Sequence, residues 1–313
     1  MAEGSIADLR IVSLLPSATE IAVALGLGDN LVGRSHECDF PASVTALPVC
    51  TSTRLEKGLR SLEIDERVRE IVTQGLSLYE VDADLLRGLN PDLILTQTQC
   101  AVCAVTPDDL QACLADWMGE APTLISTAPD RLGDVWADLR AVGTRVGRSN
   151  EAESVIAELL DRLTQLGHRM QSDKAPPRIA AIEWFDPLMI AGNWVPELVT
   201  LAGGEMLFAE PGDHSDFLDW DQLVAADPDL LILMPCGYQI PQSLADIEAV
   251  SGHPRWTAMR AVQSGHVYVA DGHHFFNRPG PRLVESAEII AEIIEDWRGC
   301  GQSPSPHWLR YSG

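Results

Sequence analysis

The stretch RIVSLLPSATEIAVALGLGDNLVGRS, residues 10–35, decides the fold. Its apolar run RIVSLL (10–15) reads as a strand, PSATE (16–20) as a loop, and EIAVALGLG (20–28) as a helix that Ser17 or Thr19 caps and Gly26 or Gly28 ends. A second strand, NLVGRS (30–35), follows at once. Strand, helix and strand with short connections make a parallel α/β sheet.

The same order recurs further along. VDADLLRGLNPDLILTQ (81–97) reads as a short helix, an Asn-Pro turn and an apolar strand; DWDQLVAADPDLLILMP (219–235) repeats helix, Pro-Asp turn and strand. Each of these strands is followed within a few residues by a cysteine, Cys100 or Cys236. PELVTLAGGEMLF (196–208) echoes TEIAVALGLGDNLVG (19–33) in pattern. Between the two halves, SNEAESVIAELLDRLTQLGHRMQSD (149–173) carries Val155, Ile156, Leu159, Leu160, Leu163 and Leu166 as one apolar stripe of a long helix, and KAPPR (174–178) stops it. The expected organisation is an N-terminal α/β lobe over 1–148, a bridging helix over 149–175 and a C-terminal α/β lobe over 176–313. HVYVAD (266–271) closes the second lobe as a strand and RLVESAEIIAEIIEDWRG (282–299) as an amphipathic helix. The fold class is α/β, two Rossmann-like lobes with mostly parallel sheets.

Composition excludes several functions. Lys and Arg total 22 against 46 Asp and Glu, a formal net charge of -24, which would repel nucleic-acid phosphates over most of the surface. No apolar run reaches the roughly 20 residues that span a bilayer. Seven cysteines, odd in number and scattered, do not form a disulfide framework and suit a reducing compartment. The opening MAEGSIADLRIVSLL has no basic n-region, apolar h-region or lipid-attachment cysteine. A cytoplasmic location is therefore expected for the sequence as written, and a periplasmic one if a leader has been removed. No GxSxG, HExxH, P-loop or strand-linked GxGxxG is present, so neither an enzymatic activity nor a catalytic cofactor is expected.

In open α/β sheets ligands bind beyond the carboxyl ends of the strands. The loops there are LPSATE, SHECDFP (35–41), TQTQCAVC (96–103), EWFDPLMIAGNW (183–194), MPCGY (234–238) and DGHHFFNRPGPR (271–282). They supply a soft-ligand set, His36, Cys38, Cys100, Cys103 and His274, which would suit a transition metal, and an aromatic set, Trp184, Phe185, Trp194, Tyr238 and Phe275, which would wall a large ligand. Adjacent histidines in an extended loop point to opposite sides, so one of His273 and His274 at most faces a shared ligand. Arg278, ahead of a stiff Pro-Gly-Pro, is placed to donate to amide or phosphate oxygens. Cys100 and Cys103 form a CxxC, but Pro107 intervenes before a helix can start, so the helix-dipole activation of a redox pair is missing. A thiol-dependent redox protein stays the last-ranked alternative, behind a receptor for a transition metal, haem or iron chelate.

RIVSLLPSATEIAVALGLGDNLVG, LLRGLNPDLIL, the long linking helix, LAGGEMLF, LVAADPDLLIL and RPGPRLVE together resemble the vitamin B12-binding proteins of ABC importers, within the wider family of helical-backbone metal and siderophore receptors. The resemblance runs from about residue 10 to 297. It implies a class III periplasmic-binding-protein-like monomer, two lobes bridged by one helix, with cobalamin or a related corrinoid held between them as ligand. Pro16, Ser17, Trp184, Phe185 and Arg278 fall at the family's ligand-contact loops, with His36, Trp194, Tyr238, His274 and Phe275 around them. A protein axial ligand to cobalt from His274, His36 or a cysteine is a further expectation. The resemblance also implies an ABC permease partner, docked through an acid on each lobe: Asp221 stands at that position in the second, whereas the first has Ala83 there, flanked by Asp82 and Asp84. His274 replaces an acidic contact, and the extra cysteines exceed what cobalamin capture needs.

Overall fold

The computed structural model describes residues 6–74, 76–98, 105, 110, 114, 117, 121–300 and 305–312. It divides into two compact units: Met1–Gly58, Glu66–Pro129 and Gly133–Glu158 form the first, and Leu59–Asp65, Asp130–Leu132 and Leu159–Gly313 the second.

In the first unit, β1 (Ile11–Ser13) pairs in parallel with β2 (Leu31–Arg34). A short antiparallel hairpin, β3 (Thr51–Thr53) with β4 (Tyr79–Val81), follows. Then β5 (Leu93–Gln97) joins the other side of β1, and β6 (Thr123–Thr127) completes a parallel order β2-β1-β5-β6. β1 and β5 are buried throughout, as apolar strands between helical layers require. The helix after β1 differs from expectation in one respect. It spans Pro16–Ala24, begins at Pro16, and has Leu15 at the cap position with no side-chain cap bond. Proline's fixed φ suits a first turn and its missing N–H removes a donor that a cap would satisfy, so Ser17 lies inside the helix, buried, rather than capping it.

The second unit repeats this path. β7 (Arg178–Trp184) carries a short antiparallel β8 (Met189–Ile190) and a parallel β9 (Glu205–Met206) on one side and β10 (Leu230–Leu233) on the other; β11 (Val267–Ala270) follows β10, and β12 (Trp308–Arg310) adds an antiparallel edge. The order β9-β7-β10-β11 reproduces β2-β1-β5-β6. Local chemistry repeats with it. Asp82 caps the helix Ala83–Leu89 by accepting from Leu85 N–H, and Asp219 caps Trp220–Ala226 by accepting from Asp221 N–H. Both helices end on a left-handed residue, Asn90 at φ 43° and Asp227 at φ 45°, ahead of Pro-Asp. In the first unit Arg10 N–H donates to the Asp92 carboxylate (2.9 Å) while Asp92 N–H returns a bond to Arg10 O (2.9 Å). Arg178 and Asp229 make the same reciprocal pair at 2.9 and 2.8 Å.

The bridging helix spans Ser149–Met170, its first half grouped with the first unit and its second with the second. Ala152, Ile156, Leu159, Leu163, Leu166 and Met170 form its buried stripe, spaced three and four residues apart. Leu160, counted in the stripe from sequence, is 42% exposed and lies off it. No helix among the described residues is long and apolar enough to cross a membrane.

Candidate functional site

β7, β10 and β11 are neighbours in one parallel array, so their carboxyl ends bring Glu183-Trp184, Cys236-Gly237-Tyr238 and Asp271–Arg278 to one rim of the second unit. Backbone bonds stitch the rim: Cys236 N–H donates to Glu183 O (3.0 Å), and the Asn277 side chain donates to Gly272 O (2.9 Å). Gly272 is required where it stands, because a Cβ there would fall on the carbonyl oxygens of Met234 and Pro235. Phe276, fully buried, holds a left-handed φ of 64°, a conformation that costs a bulky residue energy. Its N–H bonds Ser286 Oγ (3.0 Å) and its carbonyl accepts from Trp194 Nε1 (2.6 Å), which fixes the loop from both sides.

The two histidines of this loop have different partners. Asp271 accepts from His274 Nδ1 (2.7 Å) and from the backbone N–H of His273 (3.0 Å) and His274 (2.9 Å). Burial raises the Asp271 carboxyl, but the bonds from His274 and His273 outweigh it and hold it below the usual carboxylate range. His273 Nε2 faces Arg278 Nη2 at 3.1 Å. A guanidinium only donates, so His273 is the acceptor and carries its own proton on Nδ1.

The predicted aromatic wall is largely internal. Phe185 is 1% exposed and belongs to the second unit's apolar core, which corrects its assignment to the ligand. Trp194, Tyr238 and Phe275 are also buried. Trp184 is half-buried at the rim, edge-on to Tyr238 with ring centres 5.5 Å apart. Arg278, expected to reach outward, is only 7% exposed and braces the loop. The sequence reading missed Asp271 and Glu183; an Asp three residues ahead of a histidine after a strand was the available signal.

In the first unit, His36 follows β2 and its Nδ1 lies 2.8 Å from Thr51 Oγ1. Burial, then the charges of Arg34 and Lys57, hold its pKa below the ordinary histidine value. Cys38, expected as a metal ligand, is fully buried and its Sγ receives the Thr19 hydroxyl (3.1 Å), the setting of a packed thiol. Pro16 is the first residue of its helix and Ser17 is buried. Cys100 and Cys103 lie outside the described residues. The described cysteines, Cys38, Cys50, Cys236 and Cys300, form no disulfide among the described residues.

The docking acids sit at helix starts. Asp84 is the second residue of Ala83–Leu89 and Asp221 the second of Trp220–Ala226, so the internal repeat matches Asp84, not Ala83, to Asp221. Each is paired within its own unit, Asp84 with Arg87 (3.0 Å) and Asp221 with Arg255. Beside Asp221, Trp220 stacks on His253 at 4.0 Å and 7°, along a groove of about 480 Å³.

Two α/β units of one plan, connected through a long helix and carrying loops at strand carboxyl ends, have the architecture of a substrate-binding protein. The chain belongs to the periplasmic binding protein family, which it matches over residues 11–273. A vitamin B12-binding protein of Photorhabdus laumondii is 22% identical over 299 residues, covering 93% of this chain and 89% of that protein. An uncharacterized ABC transporter substrate-binding lipoprotein of Bacillus subtilis is 23% identical over 292 residues, 91% of this chain and 79% of that one. Among solved structures, the periplasmic vitamin B12-binding protein of Vibrio cholerae aligns with a TM-score of 0.64 at 21% identity, over 92% of this chain and 97% of that one. A periplasmic haem-binding protein of Pseudomonas aeruginosa aligns with a TM-score of 0.69 at 18% identity, over 97% and 98%. These structural likenesses establish the fold.

Proposed function

We propose that the protein captures a corrinoid, cobalamin or a close relative, as a reversible binder and not a catalyst. The state of the rim's cations carries the choice of ligand. Haem presents carboxylates and calls for outward cations, whereas a corrin presents neutral amides that need mixed donors and acceptors. The arginines of the 271–282 loop are both engaged in the fold: Arg278 donates to His273, and Arg282 bonds Glu285 (3.2 Å) and lies 4.4 Å over the Phe275 ring. Glu183, which accepts from Ser215 Oγ (3.0 Å), and Asn277 are half-buried polar groups of the rim that also carries Trp184, a flat apolar face. Relatives named for vitamin B12 support the same ligand. Delivery to an ABC permease, through Asp84 and Asp221, is the partner this reading supplies.

Competition tests it. The protein is mixed with equal hydroxocobalamin, haemin and a ferric siderophore, and what co-elutes on gel filtration is identified by its visible spectrum. Corrinoid retained in preference supports the proposal; haemin or siderophore retained instead overturns it.

A further inference from the structure

We infer that Met189 and Phe217 extend Trp184 into one apolar shelf, and that this shelf takes the flat macrocycle of the ligand; the inference rests on the corrinoid reading above. Strand register fixes the shelf. β7 and β8 pair Trp184 with Met189, and on the other side of β8 the segment 215–218 pairs Phe217 with Met189. Ile190 N–H donates to Asp216 O (3.0 Å) and Leu218 N–H to Leu188 O (2.8 Å), so Met189 and Phe217 form a non-hydrogen-bonded antiparallel pair, whose side chains share a face and lie closest together. Their chain neighbours Leu188, Ile190 and Leu218 belong to the second unit's apolar core, and alternation along a strand therefore turns Met189 and Phe217 the other way. With strands about 4.8 Å apart, the row from Trp184 to Phe217 is roughly 10 Å wide.

Exposure rises along the row. Trp184 and Met189 are half-buried, and Phe217, at 59%, is the most exposed large apolar side chain among the described residues. A lone exposed phenylalanine is ordinary on a protein surface. This one continues a half-buried pair that begins at the rim, and its segment is tied down. Ser215 Oγ accepts from Gly192 N–H (3.1 Å) and donates to the Glu183 carboxylate (3.0 Å), and a Cβ on Gly192 would fall on Asp213 O and Ser215 N. Asp216 Oδ1 takes the Phe217 N–H (2.7 Å). A shelf fixed before binding loses little freedom when it is covered, so the apolar area it buries goes into affinity. The width selects the occupant: a flat ring with polar groups at its edge covers all three side chains, whereas a globular iron chelate touches the row at one point.

Hydroxocobalamin is the probe, titrated calorimetrically into the full chain and its variants. Phe217→Ala is expected to weaken binding roughly tenfold, through the lost aromatic contact and the area it covers, and Phe217→Trp to stay within about twofold of the unmodified protein. Leu160→Ala, which trims an exposed leucine of the bridging helix, is expected to leave the affinity unchanged. Fluorine resonance reads the contact itself. With 4-fluorophenylalanine at every phenylalanine, the signal that Phe217→Leu removes is expected to shift on saturation with hydroxocobalamin, and to broaden when cob(II)alamin, whose metal is paramagnetic, is bound instead. Saturable hydroxocobalamin binding that Phe217→Ala leaves within about twofold, or a Phe217 signal that does not move, overturns the inference and leaves the corrinoid reading standing. No binding of hydroxocobalamin by the unmodified protein overturns that reading and the inference with it.

Discussion

Arg278 gives one guanidinium N–H to Nε2 of His273, at 3.1 Å, from a side chain that is almost wholly buried. The arginine is thus part of the scaffold that shapes the rim. Arg278→Ala is expected to destabilise the ligand-free protein by about 2 kcal/mol, by removing a charged donor and opening space beneath the loop. Urea unfolding without ligand measures it. An unchanged midpoint would instead assign Arg278 to ligand contact alone.

Two glycines separate close approach from idle flexibility. At Gly272 a side chain would strike the backbone of Met234 and Pro235, so Gly272→Ala is expected to cost roughly 1–3 kcal/mol and to weaken ligand binding by moving the 271–278 loop. At Gly167, within the bridging helix, an added Cβ meets nothing within 4 Å. Gly167→Ala is expected to stabilise by about 0.5–1 kcal/mol, because alanine loses less backbone freedom in a helix. Thermal unfolding of the two variants should move in opposite directions.

His36 and Asp138 give the first unit opposite dependences on pH. His36 is held below its ordinary value, so as pH falls through about 6.5 the unfolded chain takes up a proton the folded chain refuses, and stability is lost. His36→Gln should remove that loss. Asp138 is pushed up to about 7 by burial, with the Asp134 charge adding to it, and its Oδ2 is buried without a hydrogen-bond partner. Its contribution is present below the ordinary 3.8 and is lost as pH rises through about 7. Asp138→Asn should therefore raise the unfolding midpoint at about pH 8 and leave it nearly unchanged at about pH 4. A gain that is equal at both would contradict the burial of a titrating carboxyl.

Thiol labelling has a defined order. Cys300 is exposed, whereas Cys38 and Cys50 are buried and burial pushes the Cys50 thiol up to about 11. Iodoacetamide followed by peptide mapping is expected to modify Cys300 in the native protein, and Cys38 and Cys50 only after unfolding. Early labelling of Cys38 would restore it as an accessible ligand.

The repeated units were legible because their signals are local. Asp82 and Asp219 cap helices, Pro91 and Pro228 bar continuation, and the apolar runs that follow become central strands. The rim was less legible, since its properties depend on which way a loop turns. Trp184 and Phe185 are adjacent and equally apolar, yet only one reaches the surface; Asp271 and His274 meet only because the turn after β11 folds back on itself. The cap at Ser17 failed because Pro16 begins the helix one residue earlier. Asp84 was passed over for Ala83 because the cap residue sets the helix frame, and that frame emerges when both helices are superposed on their capping aspartates.

Calorimetric titration of the metal-stripped protein with hydroxocobalamin, with the visible spectrum recorded on the same mixture, tests corrinoid capture most directly. Saturable one-to-one heat with a shift of the cobalt bands is the predicted result. Absence of both heat and spectral change, under conditions where haemin does bind, would contradict the account.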